Sequence, residues 1–212
     1  IKYVLGEHRL EDFSARGGQA QPDFILKAAG VALDSPYIAE ARKHNVSIEM
    51  DASLFAKLMP KGVMLVGVTG TRGKSTTTAL IYEILSSPPP RLGGEKRTLG
   101  ASQDLERSGF AESERGTASV RRAGGGVVGS VYRGGNLVPE ATLPLLEKVK
   151  SGDIVVLELD SWQLQGFHDA EISPQVAVFT TFLDDHLIYY KGDTDRYFED
   201  KIAIFKYQKA GD

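Results

Sequence analysis

The 212-residue sequence predicts an α/β fold with a mostly parallel sheet and flanking helices. Its clearest strand candidates, "VMLVGV", "DIVVLEL" and "QVAVFT", are short apolar runs rich in β-branched residues, as expected of strands covered on both faces. Segments with helical periodicity separate them, and the helix candidate "DRYFEDKIAIFKYQK" follows the last one. Strands that alternate with helices in this way are typical of a parallel sheet.

Composition narrows the functional class. The apolar fraction of 42%, the charged fraction of 25% and the formal net charge of -3 lack the basic excess of nucleic-acid-binding domains. The absence of cysteine excludes disulfides and thiolate metal sites and agrees with a reducing cytoplasm. No apolar run has the length that crosses a bilayer. We therefore expect a cytoplasmic protein that binds neither nucleic acid nor a membrane.

The N-terminal part, residues 1–60, is predicted to be a small α/β unit. Strand candidates "IKYVLG", "FILKAAG" and "SIEM" alternate with helix candidates "SPYIAEARKHN" and "DASLFAKLM". Asp34 or Ser35 can cap the first helix, and Asp51 or Ser53 can cap the second. Pro60 to Gly62 then mark a domain boundary, which places residues 61–212 in a second unit. Since the chain starts without Met and stops after a helix candidate, we interpret it as an internal fragment.

The second unit opens with the strand "VMLVGV" and the helix "STTTALIYEIL", whose inward side is predicted to carry Leu80, Ile81, Ile84 and Leu85. "VYRGGNLVPEATLPLLEKVK" predicts a strand, a glycine turn and a helix, and two buried strands are predicted over 154–159 and 176–180. Between these parts, residues 86–130 are rich in Pro, Gly, Ser and Arg and predict no packed structure. They are interpreted either as a flexible insertion or as a sequence artefact such as a wrong reading frame, with a basic functional loop as a third possibility.

The stretch "GVTGTRGKSTTT" indicates a phosphate-binding loop, because it lies between a buried strand and a helix. Its glycines allow the backbone N–H groups to approach a phosphate, its lysine can reach the β and γ phosphates, and a hydroxyl can ligate magnesium. The general formula fails at Val68, where a glycine is expected, and the alternative is a glycine-rich turn with a surface lysine. The predicted nucleotide-binding residues are Gly70, Thr71, Arg72, Gly73, Lys74, Ser75 and Thr76.

Polar residues that follow the other strands are further candidates, since ligands of such sheets gather beyond the carboxyl ends of the strands. Glu158 interrupts an apolar strand, where a cation would remove the cost of its charge; the alternative is a strand-end residue that faces water. His186 follows Asp184 and Asp185 and can ligate a metal through neutral imidazole, although a structural role is equally open. Nothing in the pattern around Lys201 separates it from a surface lysine.

Together these stretches resemble the Mur ligase family. "GVTGTRGKSTTT" is similar to the family's GTxGKS/T loop, which makes Val68 an expected residue. "LELDSWQLQ" is similar to the stretch LELSSFQLE of its D-glutamate-adding members, and "GGN" at 134–136 resembles their GGNIG turn. "DSPYI" and "ARKHNVSIEMDASLF" look like the end of the family's N-terminal domain. The resemblance covers nearly the whole chain except about residues 86–130.

The resemblance implies the end of a Rossmann-like UDP-binding domain in 1–60 and the first part of a P-loop-type ATPase domain in 61–212, with the C-terminal domain absent. It implies a monomeric, ATP- and Mg²⁺-dependent ligase of peptidoglycan precursor synthesis that joins D-glutamate to UDP-N-acetylmuramoyl-L-alanine. Lys74 would contact phosphate, while Ser75, Glu158, His186 and a carbamylated Lys201 would hold magnesium. The residues that would face the uridine-linked substrate are Asn136, Ser161 and Gln163.

The sequence departs from the family pattern at several positions. Ala28 and Ala29 replace the usual Ser-Pro, Thr181 replaces an Asn and Asp160 replaces a Ser, and Asp184 and Ile188 also differ. We expect the fragment alone to be inactive. Alternatives that stay open are a sister Mur ligase, a folylpolyglutamate synthase-like ligase, and a non-catalytic nucleotide-binding module.

Overall fold

The computed structural model describes residues 9–13, 22–32, 34–87, 118–121, 127–136, 141–185 and 188–212. The strands are β1 (Phe24–Leu26), β2 (Ser47–Glu49), β3 (Met64–Thr69), β4 (Ala118–Arg121), β5 (Val127–Gly135), β6 (Ile154–Glu158) and β7 (Val176–Phe179). The α-helices are α1 (Pro36–Lys43), α2 (Asp51–Leu58), α3 (Lys74–Ser86), α4 (Ser161–Asp169) and α5 (Thr194–Lys206). Two short 3₁₀ helices span Leu10–Phe13 and Leu143–Glu147.

The main sheet has five strands in the order β4-β5-β6-β3-β7. Strands β5, β6, β3 and β7 are parallel, and β4 is antiparallel to β5. The register aligns Gly135, Glu158 and Val68 across β5, β6 and β3, so that these strands end at the same edge. The predicted α/β class with a mostly parallel sheet is therefore confirmed.

The core lies on both faces of this sheet. A larger cluster joins Leu157 and Leu159 at the end of β6 to Phe167 of α4 and Ile204 of α5, all with no exposed surface. Ala52 and Phe55 of α2 belong to the same cluster. Helix α2 therefore packs into the core of the main sheet, although the sequence suggested a boundary after it. On the other face a smaller cluster gathers Val66, Val68 and Val156 around Tyr82 of α3.

Some local predictions differ from the structure. On α3, Leu80 and Ile84 are 58% and 64% exposed, whereas Thr78 and Tyr82 are buried. The inward prediction is therefore wrong for two of its four residues, because the helix turns its 78/82 stripe to the sheet. After β5, the predicted helix is only the 3₁₀ turn Leu143–Glu147, with Pro144 in its first turn.

The segment 86–130 contains regular structure near its end, because β4 and the first residues of β5 lie inside it and pair with each other. This differs from the expectation that nothing in the segment is packed. Residues 88–117 and 122–126 lie outside the described residues, as does the predicted strand "IKYVLG". Among the helices that the structure describes, none has the length and apolar character needed to span a membrane.

Candidate functional site

The candidate site lies at the carboxyl edge of the main sheet. Gly70 directly follows β3, Asn136 follows β5 and Ser161 begins α4 after β6. The segment 180–185 follows β7, the neighbour of β3. The structure therefore brings the predicted residues of four strand ends together, although His186 lies outside the described residues.

The phosphate loop, residues 70–73, ends in the first turn of α3. Gly73 occupies the N-cap position of the helix with φ 85°, in the left-handed region, and no side chain caps the helix there. The first N–H groups of a helix have no partner within it and carry partial positive charge. Ser75 and Thr76 lie exposed in this turn. The loop thus offers backbone donors and hydroxyl groups to an anion.

The segment after β7 holds this loop in shape. Thr71 N donates to Thr181 O at 2.7 Å, and Arg72 N donates to Thr181 Oγ1 at 2.9 Å. Thr180 Oγ1 donates to Arg72 O at 2.6 Å. Thr71 Oγ1 accepts from Leu183 N at 2.9 Å and donates to Leu183 O at 3.1 Å. Thr181, which departs from the family pattern, therefore has a structural role in binding both backbone groups of Arg72.

Two lysine side chains converge on one carbonyl group of the loop. Lys74 Nζ donates to Gly70 O at 3.0 Å and to Thr71 O at 3.1 Å. Lys201 Nζ, from α5, donates to Gly70 O at 2.9 Å and lies 4.9 Å from the centre of the Tyr197 ring. Lys201 is 1% exposed. Burial, followed by the charge of Lys74, lowers the pKa of Lys201 to about 8.

Glu158 is the buried carboxylate of the site. It is 3% exposed, and its Oε2 atom has no hydrogen-bond partner among the residues that the structure describes. An unpartnered carboxylate oxygen inside a protein is costly, and hard divalent cations prefer such oxygen ligands. Among the residues that the structure describes, no group of three carboxylate or imidazole side chains converges, at this site or at any other. Glu158 therefore fits magnesium as one ligand, and the other ligands proposed from sequence stay predictions.

The three predicted substrate-binding residues lie near this edge but differ in surroundings. Asn136 has an exposed side chain, and its backbone N–H donates to Glu158 O at 2.8 Å. Ser161 is 1% exposed. Gln163 is 4% exposed and caps α4 together with Asp160, whose Oδ1 accepts from Gln163 N at 2.7 Å while Gln163 Oε1 accepts from Asp160 N at 3.3 Å. Gln163 therefore has a structural role, and its contact with substrate stays a prediction.

The same cap accounts for one departure from the family pattern. Asp160 replaces a serine, and aspartate is as good an N-cap residue as serine. Its carboxylate takes part in the reciprocal capping arrangement that begins α4. The departure therefore preserves the start of the helix that carries Ser161.

Besides the predicted Lys201, helix α5 brings two residues to the site that were not predicted, Tyr197 and Asp200. The Tyr197 hydroxyl lies 3.2 Å from Thr71 Oγ1, and Asp200 is 8% exposed. Burial raises the pKa of Asp200 despite its hydrogen bonds to Gln165 and Tyr190. The sequence does contain a signal for these residues, namely their helical spacing. They form one buried stripe of α5 that consists of Tyr197, Asp200, Lys201 and Ile204. A stripe that contains an aspartate and a lysine beside apolar residues indicates polar groups placed inside the protein.

Comparisons with known proteins identify relatives that match the whole chain. The ligase named UDP-N-acetylmuramoylalanine--D-glutamate ligase from Roseiflexus sp. (strain RS-1) is 30% identical over 212 residues, which cover 100% of this chain and 35% of that protein. The proteins of the same name from Borreliella burgdorferi (strain ZS7) and Acetivibrio thermocellus are 29% and 30% identical, again over 100% of this chain. The chain spans about a third of the length of the curated relatives it matches.

A family model adds the assignment of the domain. The model of the Mur ligase middle domain matches residues 68–212. This match begins in β3, just before the phosphate loop, and continues through α5, so it covers the loop, Glu158 and Lys201. On the strength of this match, which extends over more than half of its length, the chain belongs to the Mur ligase family.

Proposed function

We propose that the protein containing this chain is an ATP-dependent ligase that joins D-glutamate to UDP-N-acetylmuramoyl-L-alanine in peptidoglycan precursor synthesis. The observation that carries the proposal is the convergence of the Lys74 and Lys201 ammonium groups on Gly70 O, at the start of the phosphate loop. The half-buried Lys74 ammonium group beside a helix N-terminus suits a polyphosphate, and the Lys201 amine at the same carbonyl would support the accompanying magnesium once it is carbamylated. The relatives named above support the choice of acceptor and amino acid.

The reaction would run in two steps at the carboxyl edge of the sheet. The carboxylate of the acceptor attacks the γ-phosphorus of ATP, and the bond from this phosphorus to the bridging oxygen breaks. ADP is the leaving group and an acyl phosphate is the product. The amine of D-glutamate then attacks the acyl carbon, loses a proton and expels phosphate as the C–N bond forms. Lys74 and the first N–H groups of α3 would neutralise the charge that develops on the transferred phosphoryl group.

Magnesium would be held by Ser75 and Glu158, with His186 and Lys201 at a second ion. When bound, the ions would supply Lewis-acid neutralisation of the phosphate oxygens. The unpartnered Oε2 of Glu158 supports its part in this set. Asn136, Ser161 and Gln163 are proposed to face the uridine-linked substrate, and Gln163 would do so through its side-chain NH₂ group, because the cap of α4 uses the side-chain oxygen.

Lys201 is proposed to act as a carbamate. Carbon dioxide reacts with the neutral amine, and the lowered pKa of Lys201, about 8, increases the neutral fraction near physiological pH. The new N–C bond forms with release of a proton, and the product is a carbamate anion, which can bind a magnesium ion where an ammonium group cannot. Carbon-13 NMR of the protein in labelled bicarbonate should show a carbamate signal that Lys201→Arg removes. An active protein without this signal would exclude the role.

The domain division is part of the same proposal. Residues 1–60 would form the last part of the UDP-binding domain, and residues 61–212 would form part of the ATPase domain. A C-terminal domain of the complete protein would help to bind the incoming amino acid. The complete protein is proposed to act as a cytoplasmic monomer.

The decisive experiment uses the complete protein with Mg-ATP, UDP-N-acetylmuramoyl-L-alanine and D-glutamate. We expect ADP release coupled to an amide product of the right mass, and Lys74→Met should abolish both. Turnover only with another amino acid or with a folate would point to a sister ligase. ATP binding without any turnover would instead favour a non-catalytic nucleotide-binding module.

A further inference from the structure

A buried polar cluster includes the residue that precedes Lys201 on α5. We call it the Asp200 network, and it consists of Gln165 from α4, Asp200 from α5, and Tyr189 and Tyr190 from the turn between β7 and α5. Asp200 Oδ2 accepts a hydrogen bond from Gln165 Nε2 at 2.7 Å and another from the Tyr190 hydroxyl at 2.8 Å. The Tyr189 hydroxyl lies 3.3 Å from the side-chain amide of Gln165. One carboxylate oxygen thus joins two helices and the turn.

Three of the four residues of the network are buried, and Tyr189 is half-buried. Gln165 is 1%, Tyr190 is 2% and Asp200 is 8% exposed. A carboxylate in such surroundings is stable only where donors reach it, and a donor that loses it stays buried without a partner. The positions of α4, α5 and the turn are therefore coupled through Asp200.

Aromatic rings connect the Asp200 network to Lys201 and to the phosphate loop. The Tyr190 ring contacts the Tyr197 ring with 5.1 Å between their centres. The face of Tyr197 carries the Lys201 ammonium group, and its hydroxyl contacts Thr71 in the phosphate loop. Asp200 also directly precedes Lys201 on α5. A shift of Asp200 would consequently move Lys201 and loosen the contact between α5 and the loop.

The sequence of α4 is matched to this carboxylate. The Mur ligase stretch LELSSFQLE, which "LELDSWQLQ" resembles, ends in Glu where this chain has Gln165. A glutamate at this position would set a second carboxylate against Asp200, and two such groups in contact cannot both stay ionised without a large cost. The glutamine amide supplies an N–H donor instead. Gln165 and Asp200 therefore form a matched pair in this chain.

We propose that Asp200 is a positioning residue for amide-bond formation, which holds Lys201 and the turn after β7 in working geometry through Gln165 and Tyr190. The inference rests on the proposed ligase function, because positioning has a meaning only relative to that reaction. Asp200 itself touches no reacting atom.

The test compares three variants of the complete protein at saturating substrates, at a temperature where all stay folded. Asp200→Ala leaves two buried donors without an acceptor, and we expect kcat to fall about 10- to 100-fold, as for other outer-shell partners, with little change in KM for ATP. Asp200→Asn keeps an acceptor oxygen and should retain most of the kcat. Glu199→Ala is the matched control, because Glu199 precedes Asp200 on the same helix with a side chain that is 55% exposed, and kcat should not change.

A reciprocal exchange separates positioning from simple stability. Gln165→Glu alone should lower kcat by repulsion, whereas Gln165→Glu combined with Asp200→Asn restores a donor facing a carboxylate and should recover most of it. If the double variant is no better than Gln165→Glu alone, or if kcat of Asp200→Ala equals that of the wild type, the inference is overturned.

One further readout does not depend on turnover. Nitrogen-15 NMR at pH 6 follows the Lys201 ammonium group, assigned by its loss in Lys201→Arg. Its signal should shift or broaden in Asp200→Ala and stay in place in Asp200→Asn. Should the wild type form no amide, the proposed function fails by itself, and an unchanged Lys201 signal in Asp200→Ala would then refute the positioning role separately.

Discussion

The substitution Gly70→Ala tests whether the packing between the phosphate loop and the segment after β7 is as tight as described. Gly70 has φ +141°, and a Cβ atom built on it would lie 2.0 Å from Thr180 Oγ1 and 2.9 Å from Thr181 N. The first contact is far inside van der Waals distance, and the second involves backbone that cannot rotate away. The loop or the threonine must therefore move.

The expected cost has three sources. A side chain at positive φ costs about 1–2 kcal/mol, overpacking adds about 1–3 kcal/mol, and displacement of Thr180 weakens its hydrogen bonds to Thr69 O and Arg72 O, a loss of about 1 kcal/mol. We expect the free energy of unfolding to fall by about 4 kcal/mol. Gly192→Ala is the control, since Gly192 has φ +82° but nothing within 4 Å of the added Cβ, and it should cost only about 1–2 kcal/mol.

The assay is urea denaturation followed by the fluorescence of Trp162, which lies in the first turn of α4. The double variant Gly70→Ala with Thr180→Ala removes the nearest clashing atom and should recover part of the lost stability. Equal destabilisation by Gly70→Ala and Gly192→Ala would refute the reasoning, because it would leave no cost for the contact with Thr180. Calorimetry should also show weaker ATP binding by Gly70→Ala than by Gly192→Ala.

Three further predictions follow from single side chains. Burial lowers the pKa of Lys201 from 10.5 to about 8. The unfolded chain therefore binds more protons than the folded chain between these pH values, and the free energy of unfolding rises with pH across that window. Lys201→Met should remove up to about 3 kcal/mol of this rise, measured by denaturation from pH 7.5 to 10.5. Glu158→Gln should raise the melting temperature without ligands, because it replaces a buried carboxylate whose Oε2 atom has no hydrogen-bond partner among the described residues. It should also remove the stabilisation by Mg-ATP that we expect for the wild type; a lower melting temperature of the ligand-free variant would contradict this. Asp160→Ala should cost about 1 kcal/mol by loss of the α4 cap, whereas Asp160→Ser should restore most of that stability in the same denaturation experiment.

Several strands and helices of the main sheet were predictable as segments of the chain because their signals are local. The runs around Val66 and Val156 have the length and composition of buried strands, and the glycines and lysine between β3 and α3 identify the phosphate loop without any knowledge of distant contacts. The resemblance to the Mur ligase family rested on the same local stretches.

Other features depend on contacts between distant parts of the chain. Strand β4 lies in a polar stretch and exists in the structure through its pairing with β5. Lys201 was indistinguishable from a surface lysine because its burial results from the packing of α5 over Gly70, 131 residues earlier in the chain. On α3, apolar character favoured Leu80 and Ile84, whereas the side of the helix that is buried is the one that carries Thr78 and Tyr82.

The shared carbonyl of Gly70 also bears on the energetics of nucleotide capture. A hydrated lysine on the surface loses water when it binds a phosphate, and the cost of this dehydration lowers the binding affinity. Here the Lys74 ammonium group already donates to two loop carbonyls, Gly70 O and Thr71 O, in place of water. Part of the dehydration of this lysine has thus taken place during folding. When a phosphate binds, its oxygen replaces a loop carbonyl as the acceptor of the lysine hydrogen bond. The backbone of the loop therefore holds the Lys74 ammonium group, already partly dehydrated, in a position from which it can bind a phosphate.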